Sequence, residues 1–101
     1  MMIIKPNQLD LIKDLNNKII IFPTDTVYVI GCLYDDEDSI RKLYAIKHRD
    51  LKKPLAILCD SLEIIKKIII EDQIIEKEWL KHWPGKLTLI FKKNQGISNL
   101  I

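Results

Sequence analysis

At 101 residues, 48% hydrophobic and 30% charged, the chain has the composition of an ordinary globular protein, with room for one domain, 1–101, and one modest core. A formal net charge of +2 is weak, and with the acidic residues spread among the lysines instead of forming a separate block it does not by itself announce nucleic acid. Cys32 and Cys59 form no C-x-x-C pair, Met1 to Lys18 shows no signal-peptide pattern, and the apolar run at Ile68–Ile70 is flanked by Lys66, Lys67, Glu71 and Asp72, so a reducing cytoplasm without a membrane segment is the expected setting.

Asn7 followed by Asp10 has capping-box spacing, and Leu9, Ile12 and Leu15 recur at helical intervals, which predicts a first helix to about Asn17. Ile19–Phe22, apolar and mostly β-branched between Asn16-Asn17 and Pro23, reads as a buried strand, and Thr24–Gly31 as extended chain. Asp35, Asp36, Glu37 and Asp38 place negative charge at the start of a second helix, with Ile40, Leu43 and Tyr44 on one face and an end near His48.

Leu55–Leu58 follows Pro54 as a second strand. Asp60 and Glu63 open a helix whose buried face is Ile64, Ile65, Ile68 and Ile69, and Asp72 caps another over Gln73–His82. Trp83-Pro84-Gly85 stops that helix, and Leu87–Phe91 makes a third strand. The order α, β, α, β, α, α, β points to an α/β sheet covered by helices.

Two segments could carry chemistry. Pro23-Thr24-Asp25-Thr26-Val27-Tyr28 leaves the end of a strand; if extended, it places Thr24, Thr26 and Tyr28 on one side, three hydroxyls suited to the ammonium and carboxylate of a small polar ligand. Threonines at a strand edge also favour β structure on their own account. Lys47-His48-Arg49-Asp50-Leu51-Lys52-Lys53-Pro54 is a basic knot between a helix and a strand. There Lys47 continues the face of Leu43 and Tyr44, either as a functional cation or as a lysine reaching water at a helix C-terminus. Arg49 supplies a planar fork and Lys53 a point charge for one phosphate or carboxylate. Gly31, Gly85 and Gly96 are too scattered for a Walker or dinucleotide loop. His48 and His82 lack partners at metal-ligand spacing and read as surface residues, no metal site is expected, and Trp79 and Trp83, one helical turn apart, read as core packing.

Phe22-Pro23-Thr24-Asp25-Thr26-Val27-Tyr28, Leu43-Tyr44-Ala45-Ile46-Lys47-His48-Arg49, Lys53-Pro54-Leu55, and Trp83-Pro84-Gly85 with Leu87-Thr88-Leu89 together resemble, in order and spacing, the Sua5/YciO/YrdC family. The resemblance implies a twisted mixed α/β sheet with flanking helices, YrdC/RibB-like, of which this chain is the N-terminal portion. It also implies the condensation of L-threonine, bicarbonate and ATP into threonylcarbamoyl-AMP and pyrophosphate, for the t6A modification of tRNA. Matched residue by residue, Thr26 takes the threonine site, with Thr24 and Tyr28 beside it. Arg49 and Lys53 contact ATP, and Lys47 with Arg49, the K-x-R signature, serves catalysis.

Charge neutralisation by lysine and arginine, with Mg2+ held by the ATP phosphates, suits attack on an α-phosphate, and no protein nucleophile is implied. The implied partners are the proteins of the tRNA-modification pathway. Val29 stands where the family usually has glycine, Asp50 and Lys86 where it often has proline, and the family domain continues into a second half bearing an S-x-N motif. Three other readings share these residues: a non-catalytic module binding tRNA or double-stranded RNA, a carbamoyl-adenylate domain serving another acceptor, and an inactive fragment whose exposed sheet edge self-associates.

Overall fold

The computed structural model describes residues 2–70, 81–83, 85 and 88–101. It divides into two compact units, Met1–Leu55 with Leu100 and Ala56–Asn99 with Ile101. Among the described residues the architecture is α/β: a 3-10 helix, a two-stranded antiparallel sheet and one α-helix in the first unit, and one α-helix in the second.

The first unit opens with a 3-10 helix over Pro6–Leu11 instead of an α-helix reaching Asn17. Pro6 suits its first turn, and the Lys5 N–H donates to the Gln8 Oε1 at 2.9 Å. None of its residues is buried, and short helices depend on an apolar face packed against something. Further on, the Asp14 carboxylate accepts from the Asn16 backbone N–H at 2.9 Å, a local bond that competes with helix. The chain then turns at Asn17, which holds a left-handed φ of 57° and donates its N–H to the Asp36 carboxylate at 2.7 Å.

Strand β1, Ile20–Pro23, pairs with β2, Tyr28–Gly31, in the register Ile20–Gly31, Ile21–Ile30, Phe22–Val29 and Pro23–Tyr28. The apolar run expected to be a fully buried strand is half-buried: Ile20 and Phe22 face inward, whereas Ile21 is 66% exposed. One face of the hairpin is covered, so the period-2 alternation of a pleated strand decides which isoleucines are sheltered.

Helix α1, Glu37–Ile46, begins at Asp36, whose carboxylate accepts from the Ser39 N–H at 3.2 Å and the Ser39 hydroxyl at 2.7 Å. That is the side-chain cap expected of an aspartate at this position, and it satisfies Ser39, which is fully buried. Glu37 and Asp38 complement the helix dipole, and Ile40, Leu43 and Tyr44 form the buried stripe, as their spacing predicts.

In the second unit, helix α2 spans Leu62–Ile68. Its cap is Ser61, between the Asp60 and Glu63 expected to open it; Ile65, Ile68 and Ile69 are buried and Ile64 half-buried. Asn94 closes its C-terminus, with its side-chain amide donating to the Lys67 carbonyl at 2.9 Å and its backbone N–H to the Ile68 carbonyl at 2.7 Å. These bonds occupy carbonyls that a helix end leaves without internal partners.

Two expected strands differ in the structure. Leu55–Leu58 keeps the alternating burial of a strand, but no ladder forms on it among the described residues. Alternation sets which side chains are sheltered, while a strand also needs a paired neighbour. In the Leu87–Phe91 run Leu87 lies outside the described residues, Ile90 is 95% exposed, and pairing begins only beyond the run, at a single antiparallel bridge between Ile69 and Lys93. The helix expected over Gln73–His82, including Trp79, lies outside the described residues except for Lys81 and His82, which form a turn. Gly85 packs so close to the His82 carbonyl that a Cβ would sit 2.9 Å from it, so glycine is required there.

Candidate functional site

The basic segment is built on the C-terminus of α1. Lys47 is its C-cap, and His48 follows with a left-handed φ of 49°. The His48 N–H donates to the Ala45 carbonyl at 3.2 Å and the Arg49 N–H to the Tyr44 carbonyl at 3.0 Å. This pair of bonds is a Schellman motif, which usually places glycine where His48 stands. The K-x-R tripeptide is therefore a helix terminus. Lys47 is exposed at the end of the helix, and Arg49 is half-buried past the reversal.

From Arg49 the chain makes a closed loop. The Asp50 carboxylate accepts from the Lys52 N–H at 2.9 Å, and the Asp50 carbonyl from the Lys53 N–H at 3.0 Å. A proline at this place would preset the turn through its ring, and Asp50 reaches the same end through a side-chain bond to the backbone. The Arg49 Nη2 donates to the Pro54 carbonyl at 3.0 Å, so Arg49 and Lys53 belong to one hydrogen-bonded element. Among the described residues the Arg49 Nε is buried without a partner, a donor on a charged group that burial makes costly unless an acceptor meets it. Lys53 is exposed.

Thr24, Thr26 and Tyr28 fall at the hairpin turn, which corrects the expectation of an extended wall of hydroxyls. The Thr24 hydroxyl donates to the Val27 carbonyl at 2.6 Å and accepts from the Val27 N–H at 3.2 Å, while the Thr24 N–H donates to the Val27 carbonyl at 2.9 Å. Thr24 thus closes the turn with its own side chain and is occupied in doing so. Thr26 is exposed in the bend, and Tyr28, 76% exposed, begins β2. Among the described residues no hydrogen bond or ion pair joins this turn to the 47–54 loop. Val29 lies in a regular strand pair with Phe22 and not at a left-handed φ, so the backbone makes no demand for glycine there.

Burial raises the pKa of both thiols, with Asp36 adding to the effect at Cys32 and Asp60 at Cys59, so neither is poised as a thiolate nucleophile. His48 and His82 are exposed, as expected, and Trp83 is half-buried. Among the described residues no three of His, Cys, Asp and Glu converge, and no helix is long and apolar enough to cross a membrane.

Sequence reasoning passed over Tyr44 as a site element. It reads as one more residue on the apolar stripe, yet its hydroxyl lies 2.6 Å from the Lys53 carbonyl and 2.7 Å from the Leu100 carbonyl, which share its single proton. The available signal was the hydroxyl itself, since a buried phenol needs an acceptor.

The described chain is thus a small α/β protein with a cationic loop at a helix C-terminus. A family model described as Telomere recombination, Sua5_yciO_yrdC, matches residues 14–101, and the chain belongs to the Sua5/YciO/YrdC family. It is 39% identical over 87 residues to a protein of Methanocaldococcus jannaschii provisionally named threonylcarbamoyl-AMP synthase, covering 86% of this chain and 42% of that protein. It is 33% identical over 88 residues to the threonylcarbamoyl-AMP synthase of Pyrococcus abyssi, covering 83% of this chain and 25% of that one. To the enzyme of the same name from Idiomarina loihiensis it is 33% identical over 88 residues, covering 82% and 46%. The chain therefore spans less than half the length of these relatives. No solved structure matches it.

Proposed function

We propose that the chain carries part of the site of an L-threonylcarbamoyladenylate synthase, a nucleotidyltransferase acting on L-threonine, bicarbonate and ATP in tRNA t6A modification, within a wider twisted sheet of the family type. The observation that carries this reading, beyond family membership, is the 47–54 loop, which ties Arg49 and Lys53 into one element and, among the described residues, leaves the Arg49 Nε buried without an acceptor. A nucleotide phosphate supplies acceptors of the kind that donor lacks, and the exposed Lys53 adds a point charge.

In this reading Arg49 and Lys53 grip the ATP phosphates, and Mg2+ would enter with the nucleotide as part of the substrate and supply further charge neutralisation. The carbamate of threonine attacks the α-phosphorus, a P–O bond forms, and the bond to the leaving pyrophosphate breaks. Lys47 and Arg49 offset the charge that accumulates on both partners without taking up or giving a proton. Thr26 and Tyr28 present hydroxyls to threonine, while Thr24 holds the turn that displays them.

The test is formation of pyrophosphate and threonylcarbamoyl-AMP from ATP, bicarbonate and Mg2+, with and without L-threonine. Threonine-dependent product, lost by 100-fold or more in Arg49→Ala, is the expected result, since one preorganised hydrogen-bond donor is worth on the order of 10²–10³ in rate. Product that forms equally without threonine would point to another acceptor, and absence of product from folded protein would reduce the chain to a binding fragment.

A further inference from the structure

The reading above makes the 47–54 loop the phosphate-binding element, and the following inference rests on it. We infer that Tyr44 is the positioning residue of that loop, a buried phenol that fixes where Lys53, and through the loop Arg49, meet the nucleotide.

Apart from half-buried Arg49, every residue from Lys47 to Pro54 is exposed, so little packing holds the segment in place. Its near end is set by α1 and the left-handed His48, and its middle by the Asp50 turn. The far end depends on two carbonyls held by side chains from the near end: Pro54 by the Arg49 guanidinium, and Lys53 by the Tyr44 hydroxyl, whose proton it shares with the Leu100 carbonyl. Pro54 has no N–H and so offers the far end no backbone donor of its own.

Of the two holding groups, the guanidinium is also the proposed ligand contact. Tyr44 is 2% exposed, on the helix face that also buries Ile40 and Leu43, so its ring has one place to be. A hydroxyl on a locked ring, bonded to the carbonyl of the very residue whose ammonium is needed, is how a supporting group holds a binding residue within a fraction of an ångström of its working position. Tyr44 touches neither ATP nor threonine in this arrangement. It acts through Lys53.

The experiment is calorimetric titration of the full chain with MgATP, using wild type, Tyr44→Phe, Lys53→Ala, the double variant, and Arg49→Ala. Amide exchange is followed at Lys52 and Lys53. Phenylalanine keeps the buried ring, so α1 amides at Leu43 and Tyr44 should stay protected while Lys52 and Lys53 exchange faster. Tyr44→Phe should weaken MgATP by about tenfold, the factor of one lost hydrogen bond. Lys53→Ala should cost a similar factor in wild type and little in the Tyr44→Phe background, because an unpositioned lysine has less to lose.

Affinity losses that simply multiply, or an unchanged affinity in Tyr44→Phe, would overturn the positioning role while leaving the loop a phosphate site if Arg49→Ala still abolishes binding. Folded wild type that binds no MgATP, with Arg49→Ala indistinguishable from it, would instead overturn the functional reading of the loop and this inference with it.

Discussion

Asp36 shows how much one carboxylate organises here. It caps α1 through Ser39, satisfies the buried Ser39 hydroxyl, and takes the Asn17 N–H from the segment leading into β1. Its bonds from the Ser39 side chain and backbone, then that from Asn17, with Lys42 contributing, hold its pKa below the ordinary carboxylate range. A carboxyl depressed in the folded state contributes stability that is complete above its unfolded pKa of about 3.9 and is lost as pH falls through the folded value. Asp36→Asn keeps the shape but loses the charge. Its melting temperature should lie below that of wild type at pH 7, and the gap should narrow below about pH 4 as the wild-type carboxylate protonates. Melts followed by circular dichroism from pH 7 to pH 2.5 decide this; a gap independent of pH would mean that the carboxylate's charge is not what the folded state uses.

At the scale of elements, the parts legible in the sequence were those decided within one turn of chain. The α1 cap and stripe follow from Asp36 and from Ile40, Leu43 and Tyr44, and the α2 face from Ile65, Ile68 and Ile69. What eluded sequence reading depended on partners elsewhere. Leu55–Leu58 has a strand's alternation without a ladder, the Leu9–Ile12–Leu15 repeat has no buried helix to belong to, and Thr24 spends its hydroxyl on a turn that only the β1–β2 register creates. The candidate cations were visible as a cluster, but not the Schellman motif that separates Lys47 from Arg49, since nothing in Lys-His-Arg announces a left-handed residue.

That motif makes its own prediction. A non-glycine residue in left-handed geometry costs about 1–2 kcal/mol, of which glycine's greater unfolded-state freedom returns about 0.4–1. His48→Gly should therefore stabilise the fold by roughly 0.5–1 kcal/mol, read as a higher urea midpoint with an unchanged slope. His48→Val, β-branched where φ is positive, should move the midpoint the other way. A lower midpoint for His48→Gly would place the benefit of His48 in its side chain and not in its backbone.

On the scale of the whole molecule, the first compact unit leaves more large apolar side chains exposed than it fully buries. An open hollow of about 1400 Å³ is lined by residues that include Ile4, Leu9, Ile12, Phe22, Ile30 and Ile46, and Met2, Ile3, Ile21 and Tyr28 on its lining stand exposed. The hairpin is a sheet of two strands, and each strand has an outer edge unpaired by the other. Contiguous apolar surface and unpaired strand edges both drive association, the first through release of water and the second through backbone groups that can bond to a neighbour. The folded chain should accordingly brighten an apolar-surface dye such as ANS, and its weight-average mass in sedimentation velocity should rise with concentration. Ile21→Lys places a charge on the open face of β1, at a side chain already in water, so it should lower both signals while leaving the melting temperature within a few degrees, as exposed substitutions do. A constant monomer mass with no dye response would mean that the hollow closes on itself in solution. A mass that rises unchanged in Ile21→Lys would move the contact away from the hairpin.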